Sequence, residues 1–340
     1  MSAFPLQSLR TSVLLALALA STACQPPAPP VDAELVVYDE RFHDFIKEGS
    51  KVEVLADGFG WAEGPVWVPS LDALLFSDLS ADEIYRWDTS DGLSVFLSPS
   101  GPTPDGEPRS WGGSNGLAID TEGRLLLAQQ GRRSLARMRA PLSEPAADHE
   151  LLATQFDGSS VNSPNDLVIH RSGDIYFTDP PYGLSGAENS PDLELDFFGV
   201  FRLSTSGELS LVTDELSKPN GIALSPDQST LYVSNSQPGD ERIIAIPLDE
   251  EGNPGQSRVF FDASDLGEDV QGSADGMTVH PSGFVFATMP GGVGVLSPEG
   301  EIVGKISLGQ LTNVTLDATY SYLYITAPNQ LLRIGIGDGP

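Results

Sequence analysis

The chain has 340 residues, 48 of them acidic and 18 basic, for a formal net charge of −30. No block of like charge stands out, so the acidity reads as a solvated surface, and the absence of a basic stripe excludes nucleic acid as a partner. A single cysteine excludes internal disulfides, and the roughly 300 residues beyond the leader are enough for one large all-β unit held by its own core.

The first residues form a separate segment. Arg10 precedes the apolar run from Val13 to Ala20, which is too short to span a bilayer and has the layout of a secretory signal peptide, taken as residues 1–23. Ser21, Thr22 and Ala23 lead into Cys24, whose position resembles the lipid-modified cysteine of bacterial lipoproteins, although Ser21 stands where Leu is usual. Ordinary signal cleavage with Cys24 incidental is the alternative. On the lipoprotein reading, residues 24–38 are an extended Pro-rich tether. The protein is then exported and touches the membrane only through its anchor. Gln25 after the cysteine points to the outer membrane, facing the periplasm or the cell exterior.

From 39 to 336 the chain repeats. Polar openers of apolar strands occur at Glu63, Asn115, Asn165, Asn220, Asp275 and Asn313, and each is followed about a dozen residues later by a strand rich in aromatic and β-branched residues, such as Leu74–Asp78 or Ile175–Asp179. The period of about 50 residues is that of a four-stranded propeller blade, and six repeats predict an all-β, six-bladed β-propeller. The last repeat is one strand short. Val52–Ala56, before the first opener, is the natural missing strand, and its pairing with the last blade closes the ring.

Up-and-down topology puts the openers on one face, close to the axis. The long segments Pro99–Gly113, Phe156–Pro164, Gly183–Phe198 and Ala263–Ala274 belong to that face and are expected to shape a binding site. The opposite face has short turns such as Asp120–Gly123. The six openers all offer oxygen, two of them anionic, and none is His or Cys. Such a ring suits a hard cation, Ca²⁺ before zinc, copper or the more demanding Mg²⁺. Asn-Gly and Asp-Gly are also ordinary turn signals. Glu63, a poor turn residue, and Asn165, followed by Asp166 in place of Gly, speak against a purely backbone role. The four histidines form no ligand cluster, and His280 is expected at the surface.

The segments Trp61–Trp67, Asn162–Asp166, Tyr176–Gly183, Lys218–Gly221 and Ala274–Met277 resemble the signature segments of the gluconolactonase branch of the senescence marker protein (regucalcin), gluconolactonase and luciferin-regenerating family. The resemblance implies a propeller with a divalent metal, usually calcium, on its axis and a lactonase activity on a small-molecule sugar lactone. Carried over, Glu63, Asn220 and Asp275 are metal ligands. Asn165 is a ligand or a substrate contact, Asn115 a substrate contact, and Asp275 also the catalytic base or nucleophile. Gln129-Gln130 departs from the acidic residue and His that bacterial relatives often carry there, which leaves the substrate open. A propeller that binds a glycan or protein without catalysis, or a phosphotriester hydrolase using the same residues, are the competing readings.

Overall fold

The computed structural model describes residue 31 and residues 33–101, 111–266 and 270–340, so Cys24, the leader and most of the expected tether lie outside the described residues. Six antiparallel four-stranded sheets follow one another along the chain. Blade one is Ala62–Val68, Ala73–Asp78, Glu83–Asp88 and Gly92–Leu97; blade two is Ser114–Ile119, Leu125–Gln129, Ser134–Met138 and His149–Ala153. Blade three is Leu167–Ile169, Ile175–Asp179, Gly199–Leu203 and Leu209–Thr213; blade four is Pro219–Leu224, Thr230–Asn235, Arg242–Pro247 and Arg258–Asp262. Blade five contains Met277–Val279, Val285–Met289, Gly292–Leu296 and Ile302–Ser307, and blade six Asn313–Leu316, Tyr322–Ala327 and Gln330–Gly335. The first strands neighbour one another in cyclic order, the sixth touching the first, so they line the axis of a closed six-bladed propeller. Val52–Asp57 is the outermost strand of blade six, with Val52 opposite Ile334, as the one-strand deficit requires.

Second strands such as Ala73–Asp78 are buried at every position because each is covered on both faces, by the preceding and the following blade. The cores lie between blades: Leu126, Ala128 and Leu135 of blade two pack on Phe177 and Phe201 of blade three. Outer strands face water on one side, and Gly92–Leu97 is largely exposed.

Two expectations are corrected here. Glu34–Val37, assigned to the tether, pairs with Ile302–Ser307 as a fifth strand of blade five and covers an edge that would otherwise be open. The turn that follows carries Phe42 and Phe45 into the core between blades five and six. His280, expected at the surface, is 4% exposed. Its ring meets Phe45 edge-on at 5.2 Å, and its Nδ1 is 2.8 Å from Ser282 Oγ. The N-terminal segment covers it, a tertiary contact that no local pattern announces.

Hydroxyls of the inner strands pin each blade to the next. Ser77 Oγ donates to the Asn115 carbonyl (2.8 Å), Thr178 Oγ1 to that of Asn220 (2.6 Å), Ser234 Oγ to that of Asp275 (2.7 Å) and Thr312 Oγ1 to that of Ala62 (2.7 Å). Blade two has Ala128 at this place, and there the Gly116 N–H donates to the Asn165 carbonyl (2.7 Å). Four of the accepting carbonyls belong to the openers Asn115, Asn165, Asn220 and Asp275, so the seam fixes their backbones around the axis.

Candidate active site

The openers owe their positions to three local devices. Bulges between Glu63 and Val66, Ser114 and Leu117, and Pro219 and Ile222 interrupt the inner ladders and re-aim the side chains there. The residue that ends a second strand clamps the chain entering the first: Asp78 accepts from the N–H groups of Gly60 (2.9 Å) and Trp61 (3.0 Å), Asp179 from Asn162 (2.7 Å), and Asn235 Oδ1 from Lys218 (2.8 Å). Burial pushes the Asp179 carboxyl up to about 7.

The third device is the glycine after the opener. Expected as a turn residue, it is required by close approach: a β-carbon on Gly221 would lie 2.2 Å from the Asp275 carbonyl oxygen, and one on Gly64 2.1 Å from that of Asn115. Gly64 also has φ +53°, which favours glycine in its own right.

Glu63, Asn115, Asn165, Asn220 and Asp275 come together on the wall of one cavity of about 480 Å³, with Trp61, Trp111, Gln130, Tyr182, Lys218 and Ser236. Of the long segments of this face, Trp111, Ala187, Gly272 and Ser273 reach the wall, whereas Phe156–Pro164 contributes none of its lining. The sixth opener is elsewhere: Asn313 donates from Nδ2 to Asp166 Oδ2 (3.4 Å) and accepts from the Val314 N–H (2.8 Å).

Neighbours set the amide orientations. Asn115 Nδ2 donates to Gln130 Oε1 (3.1 Å), which leaves the buried Asn115 Oδ1 with no hydrogen-bond partner among the described residues. Asn220 Nδ2 is 3.2 Å from Ser236 Oγ, itself hydrogen-bonded to the Tyr182 hydroxyl. Asp275 Oδ1 is likewise buried and unpartnered. Gln130 therefore holds a wall residue in place, whereas its replacement of the usual residue was read in the sequence only as doubt about the substrate.

Asp166 was missed as a site residue. It occupies the place of the glycine in blade three, and its carboxylate is buried near the axis, held by the Leu167 N–H (2.9 Å) and Asn313. The signal was the break in the Asn-Gly pattern. Three buried carboxylates thus share one field. Burial, and then the Asp166 charge, push Glu63 up to about 8, with opposing hydrogen bonds from the Gly64 N–H, Asn313 and Trp61. Burial raises Asp166 to about 6, and burial followed by the charges of Glu63 and Asp166 holds Asp275 well above the carboxylate range. The one cationic side chain among the described residues of the wall is Lys218, whose Nζ lies 3.7 Å from Glu188 Oε1.

No grouping of three or more His, Cys, Asp and Glu with metal-holding geometry occurs among the described residues. The oxygen set still fits a hard cation in its chemistry: two carboxylates and three amides, of which Asn115 Oδ1 and Asp275 Oδ1 are buried and without donors among the described residues. A cation there would relieve the repulsion that raises the carboxyl groups.

Residues 61–329 match the SMP-30/Gluconolactonase/LRE-like region. The chain is 37% identical to a gluconolactonase of Zymomonas mobilis over 309 residues, covering 88% of this chain and 85% of that one. A solved gluconolactonase from Xanthomonas campestris superposes with a TM-score of 0.76 at 30% identity, covering 92% of this chain and 99% of that chain. Regucalcin from Agrobacterium tumefaciens shares the fold, with a TM-score of 0.64 at 19% identity over 83% of this chain and 92% of that one. The chain therefore belongs to the SMP-30/gluconolactonase/LRE-like family and is a lactone-hydrolysing enzyme.

Proposed function

We propose that the substrate is a sugar lactone and that its ring ester is opened in the axial cavity with the help of one divalent cation, calcium, held by Glu63, Asn165, Asn220 and Asp275. The observation that carries this reading is the pair of buried, unpartnered oxygens, Asn115 Oδ1 and Asp275 Oδ1, in a wall of raised carboxyl groups. The gluconolactonase relatives support the sugar, and the regucalcin structure, described as a calcium-binding protein, supports the ion.

When bound, the cation polarises the lactone carbonyl and stabilises the charge that grows on its oxygen. Beside it Asp275 is ionised. Asp275 either takes a proton from a water that adds to the carbonyl carbon or attacks that carbon itself, in which case the ring-opened acyl group stays bonded to Asp275 until a water hydrolyses that bond and regenerates the carboxylate. The ring C–O bond breaks, the ring oxygen gains a proton, and a hydroxy acid leaves. Asn115 contacts the substrate, and Gln130 holds its amide so that the oxygen is free to accept from a substrate hydroxyl. Export and a lipid anchor at Cys24 are part of the same proposal and rest on the leader sequence.

The test is a panel of lactones and phosphotriesters assayed on chelated protein, with calcium and with magnesium restored, for wild type and Asp275→Asn. Lactone turnover restored by calcium is expected. Asp275→Asn at saturating calcium should lose about 10²–10⁴ in kcat, the usual contribution of a positioned base. Full activity of the chelated protein would overturn the metal, wild-type kcat in Asp275→Asn would reduce that residue to holding the ion, and turnover of phosphotriesters alone would replace the substrate class.

A further inference from the structure

The cavity wall is divided by chemistry in a way that the ligand set does not explain. Trp61 comes from the entry to blade one and Trp111 from the connection between blades one and two, and they meet with ring centroids 5.0 Å apart and planes at 85°. Leu79 lies on the same part of the wall. Blade four, which the ring places opposite blade one, contributes Lys218, Asn220 and Ser236, and Tyr182 joins them from blade three. One side is thus an aromatic corner and the other a row of polar groups.

The Trp61 backbone is clamped by Asp78 at 3.0 Å, and the edge-to-face contact seats Trp111 against its ring. Trp111 nevertheless remains 38% exposed. The other two tryptophans serve the core in a different manner: Trp67 stacks on Tyr324 at 5.5 Å, and Trp87 is 7% exposed beneath the Arg333 guanidinium. A large indole kept open at the mouth of a polar cavity exposes apolar surface with no use in the fold.

We propose that Trp61 and Trp111 form a platform for the C–H face of a cyclic polyhydroxylated substrate, and that Trp111 sets the preference for sugar lactones over unsubstituted lactone rings. A sugar ring is apolar across its C–H face and hydroxylated around its rim, which matches an aromatic corner facing polar groups. The platform acts on binding in the ground and transition states alike, so its loss appears in KM and leaves kcat nearly constant. This assignment rests on the lactonase reading of the same cavity.

The experiment uses the full-length protein and two readouts. Tryptophan fluorescence is titrated with 1,5-anhydroglucitol, a sugar ring without a lactone carbonyl, and steady-state kinetics are measured with glucono-δ-lactone and δ-valerolactone. In Trp111→Ala and in Trp111→Leu, which keeps apolar bulk but no aromatic face, KM for glucono-δ-lactone should rise on the order of tenfold, while Trp111→Tyr should recover most of the loss. The fluorescence change with anhydroglucitol should be present in wild type and much reduced in Trp111→Ala and Trp111→Leu. Unaltered KM in both of those variants, or no fluorescence response in wild type, would overturn the platform. If wild type hydrolyses neither lactone but its fluorescence responds to the sugar through Trp111, the lactone substrates fail and the platform stands.

Discussion

The three axial carboxylates make the stability of the metal-free protein fall as pH rises. A carboxyl whose folded pKa lies above its unfolded one binds more protons in the fold, so its stabilisation is complete below the unfolded pKa and is lost as pH climbs through the folded value. For Glu63 that window runs from about 4.5 to about 8, and for Asp166 from 3.8 to about 6. Each decade is worth about 1.4 kcal/mol, so Glu63 alone accounts for a loss on the order of 5 kcal/mol and Asp166 for roughly 3 kcal/mol. The groups repel one another and the two figures do not add; we expect a fall of about 5 kcal/mol between pH 5 and pH 8.5. The histidines act in the opposite direction: burial, complete for His170 and His280 and partial for His149, lowers all three, which favours the fold as pH rises through their ordinary range near 6.5. Above pH 7 they are neutral in both states, and the remaining slope belongs to Glu63, Asp275 and Asp179, whose buried carboxyl is pushed up to about 7. The assay is urea unfolding of chelator-treated protein at half-unit steps from pH 5 to 8.5, repeated with millimolar calcium and with Asp166→Asn. Calcium should flatten the curve most at high pH, and Asp166→Asn should flatten it in the chelated protein, chiefly below pH 7. A metal-free protein whose stability stays level or rises between pH 7 and 8.5 would refute the reasoning.

Other outcomes follow from single contacts. Gly221→Ala puts a methyl group against a backbone carbonyl that has no room to retreat, so it should cost several kcal/mol, roughly 3 or more, and displace Asp275; a melting temperature within 2 °C of wild type would show that the close approach is relaxed in solution. Gln130→Leu frees the Asn115 amide to rotate, and KM for the lactone should rise severalfold with folding intact, as seen by kinetics beside circular dichroism. Cys24→Ser should move the protein from the membrane to the soluble fraction, and equal solubility of the two forms would remove the anchor. Elemental analysis of purified protein should find about one calcium per chain, and zinc in its place would overturn the oxygen-ligand argument.

Periodicity was sufficient for the architecture. The opener and its partner strand recur at blade length, and alternation within short segments leaves few other ways to bury them, so six blades and the closing strand Val52–Asp57 were legible in the chain. The convergence of Glu63, Asn115, Asn165, Asn220 and Asp275 followed as well, because equivalent positions of a ring must meet at its axis. What the sequence left undecided depends on neighbours from other blades. Asn313 looks like the other openers but turns to Asp166, and Asp166 looks like a substitute for glycine but supplies the third buried charge. Glu34–Val37 reads as part of a tether until the exposed edge of Ile302–Ser307 gives it a partner, and His280 is buried by Phe45 from more than two hundred residues away. The repeat is written in local spacing, whereas burial, charge coupling and amide orientation arise where blades touch, and only the closed ring decides which residues face one another there.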